Sequence, residues 1–337
     1  MKEKPLLAVN HLTTRLQIGP SLYPVVENVC FELFQGKTLA IVGESGCGKT
    51  LTALSLMRIQ PSPPALSPEG EVIYKGRNLL TLSEKEMRKI RGARIAMIFQ
   101  DPTSALNPVY TIGEQLKEAA LIHLDIDEEE AENRAIRALD EVGILSPIER
   151  LYDYPHQLSG GMKQRIMIAM ALIGEPDILI ADEPTTALDV TIQAQVLDLM
   201  RMLQKRKGMA ILLITHDMGI VAEMADEVVV MYASQGIEKG TVSHIFHHMA
   251  HPYTRGLFQS RPTGNIARAP LYPIQGNVPS VTHYPTGCRF HPRCPFIMEK
   301  CKKDPVPSFT INGDTDHQTL CWLYDGTPES MERKPKI

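Results

Sequence analysis

Apolar and polar positions give the chain three textures. The first is short apolar runs between turns. Leu6-Leu7-Ala8-Val9 and Val29-Cys30-Phe31-Glu32-Leu33 predict strands, followed by a turn at Gln35-Gly36. Lys37-Thr38-Leu39-Ala40-Ile41-Val42 ends in an unbroken apolar run, the pattern of a buried parallel strand. Residues 60–70, rich in proline and serine, predict a surface loop, and Glu71-Val72-Ile73-Tyr74 another strand. Residues 83–91 predict a charged helix, with Ser83 and Glu86 in capping-box spacing. A short apolar run, Ile95-Ala96-Met97-Ile98-Phe99, leads to Gln100.

The second texture is helical: 112–123, 127–142 and 162–173 follow one another, an α-helical insertion at about 101–175. The acids Glu128, Glu129 and Glu130 suit a helix start on a solvated face. Strand–helix alternation then returns: 177–181, 190–205, 210–215, 220–225 and 227–232. It predicts an α/β fold with a mainly parallel core sheet, preceded by an antiparallel β lobe. The third texture begins near residue 240. Regularity fades and prolines recur at Pro252, Pro262, Pro270, Pro273, Pro279, Pro285 and Pro292. We expect a first domain at 1–259 and a loop-rich C-terminal appendage at 260–337.

Length and composition narrow the function. The 337 residues, 43% hydrophobic, suit one large domain or two. A net charge of −4 with scattered basic residues argues against nucleic acid as the main partner. No apolar run approaches the ~20 residues of a spanning helix, and no apolar core follows Met1-Lys2-Glu3-Lys4-Pro5 as in a signal peptide. A cytosolic protein is expected, attached to a membrane only through a partner. Of six cysteines, Cys30 and Cys47 are isolated, while Cys288, Cys294, Cys301 and Cys321 cluster, which suggests a metal more than disulfides.

The chemistry centres on residues 43–50, Gly43-Glu44-Ser45-Gly46-Cys47-Gly48-Lys49-Thr50. This is the phosphate-binding P-loop pattern, between a predicted strand and a predicted helix starting near Leu51. The glycines allow a tight turn that presents N–H groups, and the helix start adds partial positive charge. Lys49 supplies a point charge for the β- and γ-phosphates, and the Thr50 hydroxyl suits Mg²⁺. Far along the chain, Leu179-Ile180-Ala181-Asp182-Glu183 ends an apolar strand with two acids. In P-loop enzymes the first, Asp182, organises Mg²⁺, and the second, Glu183, is placed to polarise water.

Leu158-Ser159-Gly160-Gly161-Met162-Lys163-Gln164 resembles the signature sequence of ATP-binding cassette (ABC) ATPases. The resemblance covers residues 1 to about 325 and implies an ATPase of P-loop ABC fold using ATP and Mg²⁺. In this family the signature, here Ser159, Gly160, Gly161 and Gln164, serves the ATP held on a facing subunit. Gln100 matches the Q-loop glutamine that senses Mg²⁺ and the attacking water. Ala187-Leu188-Asp189 matches the D-loop, His216 the switch histidine, and Tyr23 the aromatic that stacks on adenine. Cys47 stands where serine is commoner, and is a candidate for thiol sensitivity of the site.

Three stretches narrow the resemblance to the oligopeptide/dipeptide importer ATPases: 100–108, 154–161 and His251-Pro252-Tyr253-Thr254. A fourth is Gly287-Cys288-Arg289-Phe290-His291-Pro292-Arg293-Cys294-Pro295. The branch implies a second, related ATPase subunit in a heterodimer, two transmembrane permeases and an extracytoplasmic solute-binding protein. It also implies a peripheral position on the cytoplasmic face of the inner membrane, and no nucleic acid. Relatives also handle nickel chelates and other small solutes. A soluble cassette ATPase acting on nucleic acid or ribosomes is the rival, though the interval from Thr50 to Ser159 shows no sustained heptads. The cysteine spacing, C-x5-C-x6-C-x19-C, suits either Zn²⁺ or a [4Fe–4S] cluster and does not choose between them. Some members of the branch are understood to carry an iron–sulfur cluster on matching cysteines, which implies one here with a structural role. His291 and His317 lie nearby and are not expected as ligands.

Overall fold

The computed structural model describes residues 4–101, 105–186, 188–259 and 274–334. Pro102, Thr103 and Ser104 of the importer stretch, Ala187 of the D-loop, and Pro262, Pro270 and Pro273 lie outside the described residues. The strands are β1 (Leu7–Ile18), β2 (Ser21–Leu33), β3 (Thr38–Val42), β4 (Glu69–Tyr74), β5 (Arg77–Asn78), β6 (Ile95–Ile98), β7 (Ile178–Asp182), β8 (Ala210–Thr215), β9 (Glu227–Tyr232), β10 (Gln235–Thr241), β11 (Phe309–Ile311) and β12 (Asp314–Thr319). The longer helices are α1 (Lys49–Met57), α2 (Ile112–His123), α3 (Glu128–Glu141), α4 (Gly160–Leu172), α5 (Val190–Lys207), α6 (Met218–Met224) and α7 (Pro252–Gln259). The chain divides into two compact units. One holds the described residues of Met1–Leu6, Leu33–Thr38 and Thr81–Ile214, the other those of Leu7–Glu32, Leu39–Leu80 and Thr215–Ile337.

The first unit contains the expected helical block and a parallel ladder. β6 pairs with β7 and β7 with β8, Ile98 opposite Ala181 and Asp182 opposite Ile214. Every residue of β7 and β8 is buried, which explains their lack of alternation. In α3 the buried positions are Ala131, Ala135, Ala138 and Leu139, one helical stripe of mostly small residues. Capping boxes start the short helix Glu84–Arg88 at Ser83/Glu86 and α2 at Thr111/Glu114.

The second unit carries the β lobe, a four-stranded sheet in the order β2-β1-β4-β5. Its first two strands are 12 and 13 residues long, far beyond the apolar runs that announced them. The polar half of β1 hides the pattern, because a bulge between Asn10 and Thr13, with His11 at φ 52°, shifts its inward face from Leu7 and Val9 to Leu12 and Thr14. Tyr23 lies inside β2, of which the apolar run at 29–33 is only the last part. In the other ladder β3 runs parallel to β9, while β10, β12 and β11 follow antiparallel. The stretch expected to be loop-rich thus supplies two paired strands. β12 reads Asp314-Thr315-Asp316-His317-Gln318-Thr319, which has no apolar signal to find.

A buried carboxylate ties the end of this ladder together. Glu238 of β10 is 1% exposed and accepts from Ala250 N (2.7 Å), His251 N (2.8 Å), Thr254 Oγ1 (2.6 Å) and the His317 Nε2 of β12 (2.9 Å). Four donors offset the cost of burying the charge. His251 is itself fully buried. Its Nδ1 accepts from Tyr253 N (3.0 Å), and burial pushes its pKa down from 6.5 to about 4. Below pH 6.5 the unfolded chain takes up a proton that the folded protein refuses. Stability is therefore full above that value and falls as pH drops toward 4. We expect a loss of about 3 kcal/mol across this window, read from urea midpoints, with the slope flattened in His251→Gln. An unchanged slope in that variant would place the acid sensitivity elsewhere.

Candidate nucleotide site

The phosphate loop belongs to the second unit. It leaves the fully buried β3 and enters α1 at Gly48, which is the N-cap with φ 106° and no side-chain cap. Two glycines are required by close approach. A Cβ on Gly43 would stand 2.2 Å from the Met231 carbonyl oxygen, and one on Gly48 2.4 Å from that of Val25. The loop is held from outside itself. Ser234 N donates to Cys47 O (2.9 Å), and Glu44 N donates to the Tyr253 hydroxyl (2.8 Å). Lys49 is 6% exposed, and its Nζ donates to Gly43 O (2.8 Å) and Glu44 O (3.2 Å). Ser45, Gly46 and Thr50 are exposed and Leu51 is half-buried. No acid occupies the first turn of α1, so nothing there offsets the positive helix end.

Cys47 departs from the expectation of thiol sensitivity. It is fully buried, and burial raises its pKa in spite of Lys49 nearby, so little reactive thiolate forms. In the same unit, exposed His216 precedes Asp217, whose carboxylate caps α6 at Gly219 N (2.7 Å). Tyr23 is half-buried on β2.

The acids and the signature belong to the first unit. Asp182 ends β7 at 2% exposure. Glu183 follows in the left-handed region at φ 47°, fixed by its N–H donating to Ile214 O (2.8 Å). Its Oε2 accepts from Gln100 Nε2 (3.1 Å) and Thr186 Oγ1 (2.9 Å). The β6–β7 register causes this meeting, since Gln100 and Glu183 each stand two residues beyond the pair Ile98/Ala181. Ser159 caps α4, its hydroxyl accepting from Met162 N (3.3 Å), and Ser159 and Gly160 are exposed. A Cβ on Gly161 would press to 3.0 Å from Ile192, at the start of α5, which Asp189 caps at Ile192 N (2.9 Å). Gln164 is not on that exposed rim. It is 2% exposed, and its Nε2 donates to Pro184 O (2.6 Å), joining the signature helix to the turn after Glu183. Thr186, Ser234 and Tyr253 were not singled out as site residues in the sequence. Only Tyr253 carried a signal, as part of the 251–254 stretch.

The four clustered cysteines are free thiols in the second unit. Cys288, Cys301 and Cys321 share an apolar pocket with Met298, Leu323 and Trp322, and Cys288 N donates to Cys301 O (2.8 Å). Backbone N–H groups of Phe290, Phe296 and Leu323 are directed at Cys288, Cys294 and Cys321 respectively. Burial dominates, pushing Cys288 up to about 11 and Cys294 up to about 12. Among the described residues no group of three or more His, Cys, Asp or Glu side chains is arranged to hold a metal ion. His317 gives its Nε2 to Glu238, and His291 Nδ1 lies 3.0 Å from Cys288 O.

Comparison with known proteins extends this picture. Residues 26–186 match the ABC transporter family, and residues 237–301 match the C-terminal region of oligopeptide/dipeptide transporters. The chain is 49% identical over 324 residues to the dipeptide transport ATP-binding protein DppD of Bacillus subtilis, covering 96% of both. It is 46% identical over 328 residues to the oligopeptide transport ATP-binding protein OppD of the same organism, covering 97% of this chain and 91% of that one. Among solved structures, the dimeric post-hydrolysis state of the ATP-binding cassette MJ0796 with ADP and Pi superposes with a TM-score of 0.62. The two are 25% identical, and the match covers 70% of this chain and 98% of that one. No helix of the described residues is long and apolar enough to cross a membrane. The chain therefore belongs to the ATP-binding proteins of ABC transporters, in the branch marked by the oligopeptide/dipeptide transporter C-terminal region.

Proposed function

We propose that this protein is the ATP-hydrolysing subunit that energises import of di- or oligopeptides across the cytoplasmic membrane. The observation that carries the reading is a P-loop of the required geometry in a chain matched almost end to end by peptide-transport ATP-binding proteins. Lys49 and the loop amides would hold the phosphates, and Thr50, Gln100 and Asp182 are the residues that would hold Mg²⁺, whose chemistry when bound would be to neutralise charge on the phosphoryl group. Glu183, steadied by Gln100 and Thr186, orients or deprotonates the attacking water. His216 keeps the γ-phosphate end in register, and Tyr23 stacks on adenine. Ser159, Gly160 and Gly161, with Asp189 beside them, serve the ATP of a facing, related ATPase. Replacing Glu183 by Gln is expected to leave ATP binding intact and cut turnover by about 10²–10⁴. Near-normal hydrolysis would remove Glu183 from that role.

The membrane subunits need a place to push. The first unit offers an apolar groove of about 500 Å³ lined by Met97, Phe99, Ala119, His123, Met167 and Met170. Phe99 is 43% exposed and adjoins Gln100, so a permease segment seated there touches the strand end that reaches Glu183. Burial lowers the pKa of His123, which favours its neutral form in the groove. Ala119→Arg should fill the groove and abolish co-purification of membrane subunits while nucleotide binding persists. Retained co-purification would move the docking site.

For the cysteines we propose a [4Fe–4S] cluster with a structural role, which would have to draw the thiols together, since no group among the described residues is arranged to hold a metal ion. Support comes from four free thiols, three of them in one apolar pocket, with peptide N–H groups directed at sulfur, the kind of hydrogen bond that tunes cluster ligands. Protein purified without oxygen should be brown and lose its colour when Cys301 is replaced by Ser. Colourless protein with stoichiometric zinc would assign the thiolates to Zn²⁺ instead.

A further inference from the structure

We infer that Arg293 and Tyr253 are positioning residues for the phosphate loop, through which the cysteine-bearing C-terminal segment sets how tightly the protein binds Mg·ATP. The inference rests on the reading of residues 43–50 as the phosphate site. Both side chains act on one loop residue, Glu44. Tyr253 takes its peptide N–H at 2.8 Å, and Arg293 takes its carboxylate with a two-pronged grip, Nη1 to Oε2 at 2.8 Å and Nη2 to Oε1 at 3.1 Å.

Neither partner is a loose surface arm. The Arg293 side chain is 5% exposed. Its remaining donors go to the carbonyls of Ile274 (3.3 Å), Gln275 (2.9 Å) and Gly276 (3.1 Å), and Nη1 also reaches the Tyr232 hydroxyl (3.4 Å). A guanidinium anchored at so many points has lost its freedom before it meets Glu44, so the pair acts as a strut. Tyr253 is fully buried, its ring against Tyr232 (centroids 4.7 Å apart) and Phe290 (5.5 Å). Phe290 and Arg293 both lie between Cys288 and Cys294, so the wall behind the loop is made by the cysteine segment itself.

The lever reaches the chemistry through Lys49. Its Nζ rests on Gly43 O and Glu44 O, so a shift of Glu44 shifts the ammonium as well as the loop amides. Amides that converge on phosphate oxygens tolerate only fractions of an ångström of error. A second link runs in parallel: Tyr284 bonds Ser234 Oγ at 2.6 Å, and Ser234 N holds Cys47 O.

The test uses the full chain, with Mg·ATP titrated by calorimetry and steady-state ATPase measured alongside. Arg293→Ala should weaken binding about 5–20-fold, the scale of a lost bidentate charged pair. The loss should fall on KM, with kcat changed by less than about twofold, because ground-state grip is what is removed. Arg293→Lys should recover part of the loss. Glu44→Ala combined with Arg293→Ala should be no worse than Arg293→Ala alone, since both cut one contact. Tyr253→Phe removes a single oxygen and no charge, and should weaken binding about threefold or more. If Arg293→Ala does not fold, that variant decides. Folded variants that bind with wild-type Kd, or effects that add in the double variant, overturn the inference. Lys49→Ala separates the two readings: if it binds nucleotide as well as wild type, the phosphate-site reading fails and the inference falls with it.

Discussion

The nucleotide loop depends on main chain meeting main chain at a distance no side chain could share. Gly43 lies against Met231 of β9 and Gly48 against Val25 of β2, where a single added carbon would overlap a carbonyl oxygen. These contacts mean that the loop does not hold its own shape; its neighbours impose it. The β9–β10 turn continues the same job, with Ala233 and Ser234 both at positive φ (44° and 73°), so that the Ser234 N–H faces Cys47 O. Strained residues persist where surrounding structure over-determines them, and here the surroundings are a parallel β3–β9 ladder buried on every position of β3.

The first unit uses strain in the same way, on a charged residue. Glu183 takes a left-handed backbone at a cost of about 1–2 kcal/mol, and a hydrogen bond from its N–H to Ile214 O holds it there. The turn re-aims the carboxylate at Gln100, which the parallel register has brought level with it. Gln164 closes the arrangement from behind by binding Pro184 O. The acid is thereby oriented by two strands and a helix, the preorganisation on which its proposed role rests.

Much of this was legible in the sequence, and the reasons differ by element. Buried parallel strands and capped helices announce themselves, so 210–215 and 112–123 match β8 and α2 residue for residue. The motif stretches stand out in the sequence because phosphate chemistry restricts both residue type and spacing, and their roles are those proposed above. What failed was strand extent in β1, where a bulge breaks the period of two, and in β2, and the recognition of β12, whose side chains are all polar. Cys47 failed for another reason. Its place in an exposed-looking motif suggested access, whereas the thiol is buried, 2.8 Å from where a Cβ on Gly43 would stand. A long-range partner such as Ser234 has no local signature, and Tyr253 stood out only as part of the 251–254 stretch, because their contacts with the loop exist only once the chain has folded.

The charges at helix starts carry the last step. In the first unit α2 places Glu114 in its first turn, α3 places Glu128, Glu129 and Glu130 there, and Asp189 caps α5. With 39 acidic residues in the chain, acids were not scarce. Yet α1 begins on a glycine with neither a side-chain cap nor an acid, and α4 begins on Ser159 with two glycines and no acid. These are the phosphate loop and the signature. A carboxylate in either first turn would occupy the field that a phosphate needs, and would repel it. The chain thus keeps acids out of the first turn at both motif stretches, the arrangement that the proposed phosphate contacts require.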